Sequence, residues 1–207
     1  PEERRLYDNV TDFIRDAWAS PGGRISLPAR LTLIVLQREI GSSSFAAART
    51  LAKLESSPLF SPSERVRISA LRDEAISIPS NVKADHLRAF VRSIDEKVLV
   101  FTQYVQTLDY LRSVLESDGI RTVTYHGGLR PAAKDAAVEA FRKDDQVFLS
   151  TEAGGEGRNL QFARYLVNYD LPWNPNRLEQ RFGRIHRINQ TEVCHLWNLV
   201  AEETRDP

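Results

Sequence analysis

Lys97-Val98-Leu99-Val100-Phe101-Thr102 is a short, nearly continuous apolar run. Such a run is expected of a strand buried on both faces of a parallel sheet. Leu108, Leu111 and Leu115 then share one helical stripe, and the two periods keep alternating toward the end of the chain. The pattern predicts strands at residues 120–125, 146–150, 165–168 and 193–200. Helices are predicted over 104–117 and 131–143, with a short one near 155–160 and another from 175 onward. Alternation of this kind specifies an α/β domain with right-handed crossovers and a parallel sheet.

Before Pro79 the pattern is different. Leu6, Val10, Phe13, Ile14 and Ala17 repeat at three- and four-residue intervals, and Leu31, Ile34, Val35 and Ile40 do so more loosely. Pro21-Gly22-Gly23, Ser42-Ser43-Ser44 and Ser56-Ser57-Pro58 interrupt these stripes, and Ser61-Pro62-Ser63-Glu64 opens a last helix to about Ile76. Four helices with short links are expected. The chain therefore divides into a helical subdomain over 1–80 and an α/β domain over 81–207. At 207 residues it can bury a substantial core. It starts at Pro1 and contains no methionine, which predicts a piece of a longer protein.

Three unusual loops fall at predicted strand ends: Thr102-Gln103, His126-Gly127-Gly128, and Thr151 to Gly157. Ligands of open α/β sheets sit outside the carboxyl ends of the strands, so these loops are expected to converge on one site. The first lies after the opening apolar run. His126 and Arg130 precede a helix start at Pro131, an arrangement that suits either a backbone phosphate or a plain strand–helix connection. Thr151-Glu152-Ala153-Gly154-Gly155-Glu156-Gly157-Arg158-Asn159-Leu160 is either a tight structural turn or a polar clamp on a ribose or partner loop. It is no Walker A loop, because no Gly-Lys-Ser/Thr follows.

The densest feature is Gln180-Arg181-Phe182-Gly183-Arg184-Ile185-His186-Arg187-Ile188-Asn189-Gln190. Asn174 is a good N-cap and Pro175 suits the first helical position. Read as one helix at about 100° per residue, Arg177, Gln180, Arg184 and Arg187 fall within an arc of about 80°, opposite Leu178, Phe182 and Ile185. Such a face is either solvated surface or a polyphosphate site. Only Glu179 and Glu192 are close enough in sequence to neutralise it. Gly183 inside that helix would cost about 1 kcal/mol relative to alanine, pointing to a close backbone approach by a ligand or a packed neighbour. Trp173 and Trp197 are expected to pack rather than to stack on bases.

Composition narrows the function classes. With 28 basic and 28 acidic residues the formal net charge is zero, so any nucleic-acid binding must come from a local patch. Cys194 is the single cysteine, excluding an internal disulfide, and no metal-ligand spacing joins it to the four histidines. No signal peptide or long apolar span is present, which predicts a cytoplasmic protein without a membrane partner.

Taken in order, these segments resemble the second RecA-like lobe of superfamily-two helicases and translocases, closest to the Swi/Snf-type branch and its bacterial, RNA polymerase-associated members. Val98 to Tyr104 looks like motif IV and Tyr125-His126-Gly127-Gly128 like the backbone-contact motif after it. Leu149 to Gln161 is similar to motif V, and Asp170-Leu171-Pro172-Trp173-Asn174-Pro175 through Gln190 to motif VI and its lead-in. The ordered matches span 97–190, and the helical region before them is loosely similar to that family's protrusion. Asn189 stands where the family usually has glycine. Arg158 replaces the leucine commoner among eukaryotic remodellers, which favours the bacterial branch.

The resemblance implies a RecA-like fold and a set of roles. Arg184 and Arg187 would be arginine fingers toward the γ-phosphate of ATP, assisted by Gln180, with Gly157 and Asn159 lining the nucleotide side. Gln103, His126, Gly127 and Thr151 would face the nucleic-acid backbone. ATP and its magnesium would be held mainly by a first RecA-like lobe of the same polypeptide, since neither a Walker A loop nor an Asp-Glu pair for magnesium occurs here. The implied partners are duplex DNA and RNA polymerase or another DNA-bound protein, and the chain alone would not hydrolyse ATP. Two other readings compete: a module binding nucleic acid or an acidic partner without ATP, and a self-contained enzyme on a small phosphorylated substrate.

Overall fold

The computed structural model describes residues 2–19, 26–152, 159–186 and 190–201, and the chain divides into two compact units, one up to Asn81 and one from Val82. The first unit holds four helices, α1 (Glu2–Ala19), α2 (Leu27–Ser42), α3 (Ser44–Glu55) and α4 (Pro62–Ser77). The α1 stripe read from the sequence is buried, with Leu6, Val10, Phe13, Ile14 and Ala17 in one core with Leu51, Leu54, Ile68 and Leu71. On α2 the buried apolar residues are Ala29, Leu33 and Leu36, joined by Glu39 and Ser42, whereas Leu31, Ile34 and Val35 are exposed, which corrects the stripe expected there. The helix is apolar nearly all round, so periodicity alone could not choose its inner face. The start of α4 is a capping box. Glu64 N donates to Ser61 Oγ at 3.3 Å, Ser61 N donates to Glu64 Oε2 at 2.7 Å, and Pro62 occupies the first turn.

The second unit contains α5 (Val82–Arg92), β1 (Val98–Thr102), α6 (Val105–Ser117), β2 (Thr122–Tyr125), α7 (Pro131–Lys143), β3 (Val147–Thr151), β4 (Tyr165–Asn168), α8 (Pro175–Phe182) and β5 (His195–Asn198). The sheet is parallel throughout, in the order β2-β3-β1-β4-β5. This is the RecA-like architecture expected from the sequence. Every residue of the central strands β1 and β3 is buried, while the edge strand β5 is exposed along its length. The side-chain period of two splits β1 between two cores. Val98 and Val100 meet Leu87 and Val91 of α5 and Leu108, Leu111 and Leu115 of α6. Leu99 and Phe101 meet Phe141 of α7, Phe148, Leu166 and Ile185 on the other face.

Helix α5 has no counterpart among the predicted elements, and β2 and β5 are shorter than predicted. The short helix expected near 155–160 lies largely outside the described residues. Trp173 and Trp197 are about half exposed, and Trp197 leans on Phe90 with ring centroids 4.9 Å apart. Among the described residues, no helix is long and apolar enough to cross a membrane.

Candidate functional site

Because the strands are parallel, their carboxyl ends share one edge. The register pairs Thr102 with Thr151, Phe101 with Asn168 and Tyr125 with Ser150, so the segments that follow β1, β2, β3 and β4 emerge together. From β1 the chain crosses to β2 on one side of the sheet, and from β4 to β5 on the other. The crevice between β1 and β4 is thus the topological switch point, where open α/β sheets bind ligands.

A buried polar network fills this crevice. The carboxylate of Asp170 accepts from Thr102 Oγ1 at 2.6 Å and Gln103 N at 2.9 Å through Oδ2, and from Lys83 Nζ at 3.2 Å through Oδ1. Gln103 Nε2 donates to Leu171 O at 2.6 Å. Arg181 is 3% exposed. Its Nη1 donates to Asn168 Oδ1 and to Asp170 O, both at 2.7 Å, and its Nη2 to Glu152 Oε1 at 2.7 Å. The guanidinium lies 4.9 Å from the centroid of Phe101. Burial lowers its pKa from the ordinary arginine value to about 10, against the pull of Asp170 and with the help of neighbouring Arg177. It therefore stays charged at neutral pH.

Helix α8 starts as the sequence predicts, with Pro175 in the first turn and Asn176 N donating to Asn174 Oδ1 at 3.0 Å. It does not continue through Arg187. Gly183 caps it, and Arg184 N and Ile185 N turn back to Arg181 O and Phe182 O at 3.0 and 3.1 Å. These i→i−3 bonds tighten the chain and send Ile185 into the core, where it is fully buried. The single 80° arc is thereby corrected: Arg177 and Gln180 project from α8, whereas Arg184 sits on the turn beyond it. Arg177 is paired with Glu152, a residue distant in sequence, so Glu179 and Glu192 are not the only acids that matter. Gly183 has an ordinary φ of −61°, and a Cβ there would meet Glu179 O at 3.3 Å, so its close neighbour is its own helix.

The Arg184 turn is stitched to the segment after the glycine-rich loop. Leu160 N donates to Arg184 O at 3.0 Å, and Gln190 Nε2 donates to Ile185 O at 3.1 Å and Gln161 O at 3.0 Å. Arg184 itself is half-buried and Gln180 exposed. Asn159 is exposed and closes an Asx turn, its Oδ1 accepting from Gln161 N at 3.1 Å. Gly157 and Arg187, with Arg158 and Asn189, lie outside the described residues.

On the neighbouring part of the edge, His126 is half-buried and Gly127 exposed. Gly128 N donates to His126 Nδ1 at 3.2 Å, so in the neutral ring Nε2 carries the proton and is a donor. A side chain at Gly128 would press on that ring at 3.2 Å. Helix α7 follows, and Arg130 at its N-cap makes no side-chain cap bond. Thr151 is buried in the floor of the edge, whereas Gln103 is half-buried, its side chain anchored to Leu171 O as described. The sheet thus brings Gln103, His126, Gly127, Thr151, Gln180 and Arg184 to one end. Sequence reasoning missed the residues beneath them, namely Lys83, Glu152, Asn168, Asp170 and Arg181. One signal was available: on the helical wheel Arg181 lies within about 40° of Ile185, on the inward side.

Comparison with known proteins agrees with this geometry. The helicase conserved C-terminal domain family matches residues 82–189. The chain is 40% identical over 206 residues to an uncharacterized ATP-dependent helicase, YqhH, of Bacillus subtilis (strain 168), covering 99% of this chain and 36% of that protein. It is 44% identical over 122 residues to the RNA polymerase-associated protein RapA of Serratia proteamaculans (strain 568), covering 57% of this chain and 13% of RapA. The chain therefore spans about a third of the first of these relatives and a smaller part of the second. Among solved structures, the C-terminal part of the Fun30 ATPase domain superposes with a TM-score of 0.67 at 17% identity, over 98% of this chain and 82% of that one. The Sulfolobus solfataricus SWI2/SNF2 ATPase core in complex with dsDNA gives 0.56 at 19% identity, over 96% and 38%. These two likenesses establish the fold. With the family match covering just over half of its residues, the chain belongs to the helicase conserved C-terminal domain family.

Proposed function

We propose that this chain is the second motor lobe of a Swi/Snf-type, ATP-dependent translocase acting on duplex DNA, with Arg184 and Arg187 completing an ATP site built mainly by a first lobe. The observation that carries this reading is the pinned turn at the β1/β4 switch point. Ile185 is buried, Leu160 and Gln190 hold the backbone on either side of it, and Arg184 stands beside it. The donor set suits an anionic ligand: Arg184 and Gln180 carry N–H donors, Asn159 Nδ2 donates to Gln161 Oε1 at 3.0 Å with its second hydrogen left for a further acceptor, and the carboxylate of Glu152 is already neutralised by Arg177 and Arg181.

Arg184 and Arg187, with Gln180, Gly157 and Asn159, would hold the triphosphate from this side. ATP with its magnesium supplies the phosphoanhydride bond whose cleavage drives the motor. The chain's own contribution is positive charge placed where negative charge grows on the transferred group. Fingers of this type are worth roughly 10³–10⁵ in rate, about 4–7 kcal/mol. His126 and Gly127 would meet the nucleic-acid backbone beside the uncapped start of α7, while Gln103 and Thr151 shape the floor beneath.

The relatives suggest a bacterial, cytoplasmic protein with RNA polymerase or another DNA-bound protein as its partner. The sequence holds no Walker A loop, and its Asp-Glu pairs, Asp73-Glu74 inside α4 and Asp95-Glu96 ahead of β1, do not follow a strand as a magnesium-binding pair would, so the 207-residue chain by itself is expected to hydrolyse no ATP with or without DNA. Addition of the separately produced first lobe, or use of the full-length protein, should give DNA-stimulated turnover in a phosphate-release assay. Robust hydrolysis by the chain alone, lost on substituting one of its own residues, would refute the division of labour.

A further inference from the structure

We propose that Arg181 is a positioning residue that locks the Arg184 turn to the ends of three strands through Glu152, and so governs turnover without touching ATP or DNA. The proposal rests on the motor reading above. Arg181 lies one helical position before Phe182, whose carbonyl receives the bonds that turn the chain at Ile185 and His186; its own carbonyl receives the bond from Arg184 N. Its guanidinium reaches the other way. It holds Asn168 Oδ1 at the end of β4, Asp170 O just beyond it, and Glu152 Oε1 just beyond β3, over the ring of Phe101 in β1. One side chain thus fixes the C-terminal end of α8 to β1, β3 and β4 together.

Glu152 is the other half of the clamp. It directly follows Thr151 and precedes the glycine-rich loop, and it binds Arg177 as well as Arg181 on successive turns of α8. The loop's origin and the arginine-bearing turn are therefore set by one carboxylate. Asp170 extends the same frame to Gln103 and Lys83. A lysine could not reproduce this, because three acceptors in two directions need a planar fork rather than a point charge. Among the described residues Arg181 Nε has no hydrogen-bond partner, and the group remains buried. Its retention there fits geometry better than stability, since buried charges of this kind are often replaceable by apolar residues without loss.

The test uses the full-length protein and compares Arg181→Met, Arg181→Lys, Glu152→Gln and Arg184→Ala in steady-state ATP hydrolysis with DNA. Misplacement of a reacting group by about 1 Å can cost 10²-fold. Arg181→Met is expected to lower kcat by about that much, with KM for ATP and the DNA dissociation constant each within about threefold. Arg181→Lys should recover part of kcat, and Glu152→Gln, which keeps the side chain's size and one acceptor oxygen but removes the countercharge to Arg177 and Arg181, should lower kcat alone and to a smaller extent. If Arg181→Met does not fold, Glu152→Gln carries the test. Normal kcat in Glu152→Gln and Arg181→Met beside a crippled Arg184→Ala would overturn the clamp and leave the motor reading intact. Normal kcat in Arg184→Ala would overturn both. Parallel loss of kcat, ATP affinity and DNA affinity in Arg181→Met would reduce Arg181 to a structural residue and overturn the inference.

Discussion

Arg181 and Glu39 are both ionisable groups held where water barely reaches, and their surroundings treat them differently. Arg181 keeps its charge because Glu152, Asn168, the carbonyl of Asp170 and the face of Phe101 surround it. Glu39, on α2, is 5% exposed, and among the described residues its Oε2 has no hydrogen-bond partner. Burial raises its pKa above the ordinary carboxylate value, against a hydrogen bond from Thr50 and the charge of Lys53. The folded chain holds this proton more tightly than the unfolded chain does. The stability Glu39 contributes is therefore complete below the ordinary carboxylate pKa and is lost as pH rises through the raised one. Glu39→Gln removes the charge and is expected to raise the unfolding free energy by about 1 kcal/mol at pH 8, with the gain shrinking toward pH 4. Urea unfolding at the two pH values checks this, and an equal effect at both would reject it. Neither burial was legible beforehand. An arginine in a basic run reads as surface, and only its angular closeness to Ile185 hinted otherwise.

At the scale of elements, local chemistry decides where helices stop. Helix α6 ends in a Schellman arrangement: Gly119 N donates to Glu116 O at 2.9 Å and Ile120 N to Leu115 O at 3.1 Å, while Ile120 and Leu115 pack in the same core. Gly119 has φ of +75°, and among the described residues nothing lies within 4 Å of where its Cβ would stand. Any cost of a side chain there is therefore conformational. Gly119→Ala should destabilise the fold by about 1 kcal/mol in denaturant titration, and no loss would mean that the backbone relaxes freely. The strands were largely legible because β1 and β3 are apolar on both faces and leave no alternative. The end of α8 was not, since its i→i−3 turn is imposed by burial of Ile185, a tertiary event with no local signature. For the same reason α5 was overlooked, because Ala84, Leu87 and Val91 are a thin stripe that makes sense only against β1 and α6. The convergence of the strand-end loops was legible because a parallel sheet permits no other outcome.

At the scale of the molecule, the sheet gathers Gln103, His126, Thr151 and the Arg184 turn at one edge and supports them with Asp170, Glu152 and Arg181. The motifs were readable as surface chemistry, whereas the buried frame had to be seen. By the resemblance the sequence carries arginines for a phosphate chain, whereas it holds no Walker A loop and has Asp-Glu pairs only inside α4 and ahead of β1, away from the strand ends. On the proposed reading this edge would be half of a nucleotide site in a two-lobed motor that acts on DNA, and Arg187, by its resemblance to the family's motif VI, would belong to the same half. The most direct measurement is therefore DNA-stimulated ATP hydrolysis by the full-length protein carrying Arg187→Ala, with DNA affinity measured in parallel. A fall in kcat of roughly 10³-fold or more with DNA affinity nearly unchanged is the predicted result. Normal turnover with lost DNA binding would contradict it and make the arginine segment a nucleic-acid contact instead.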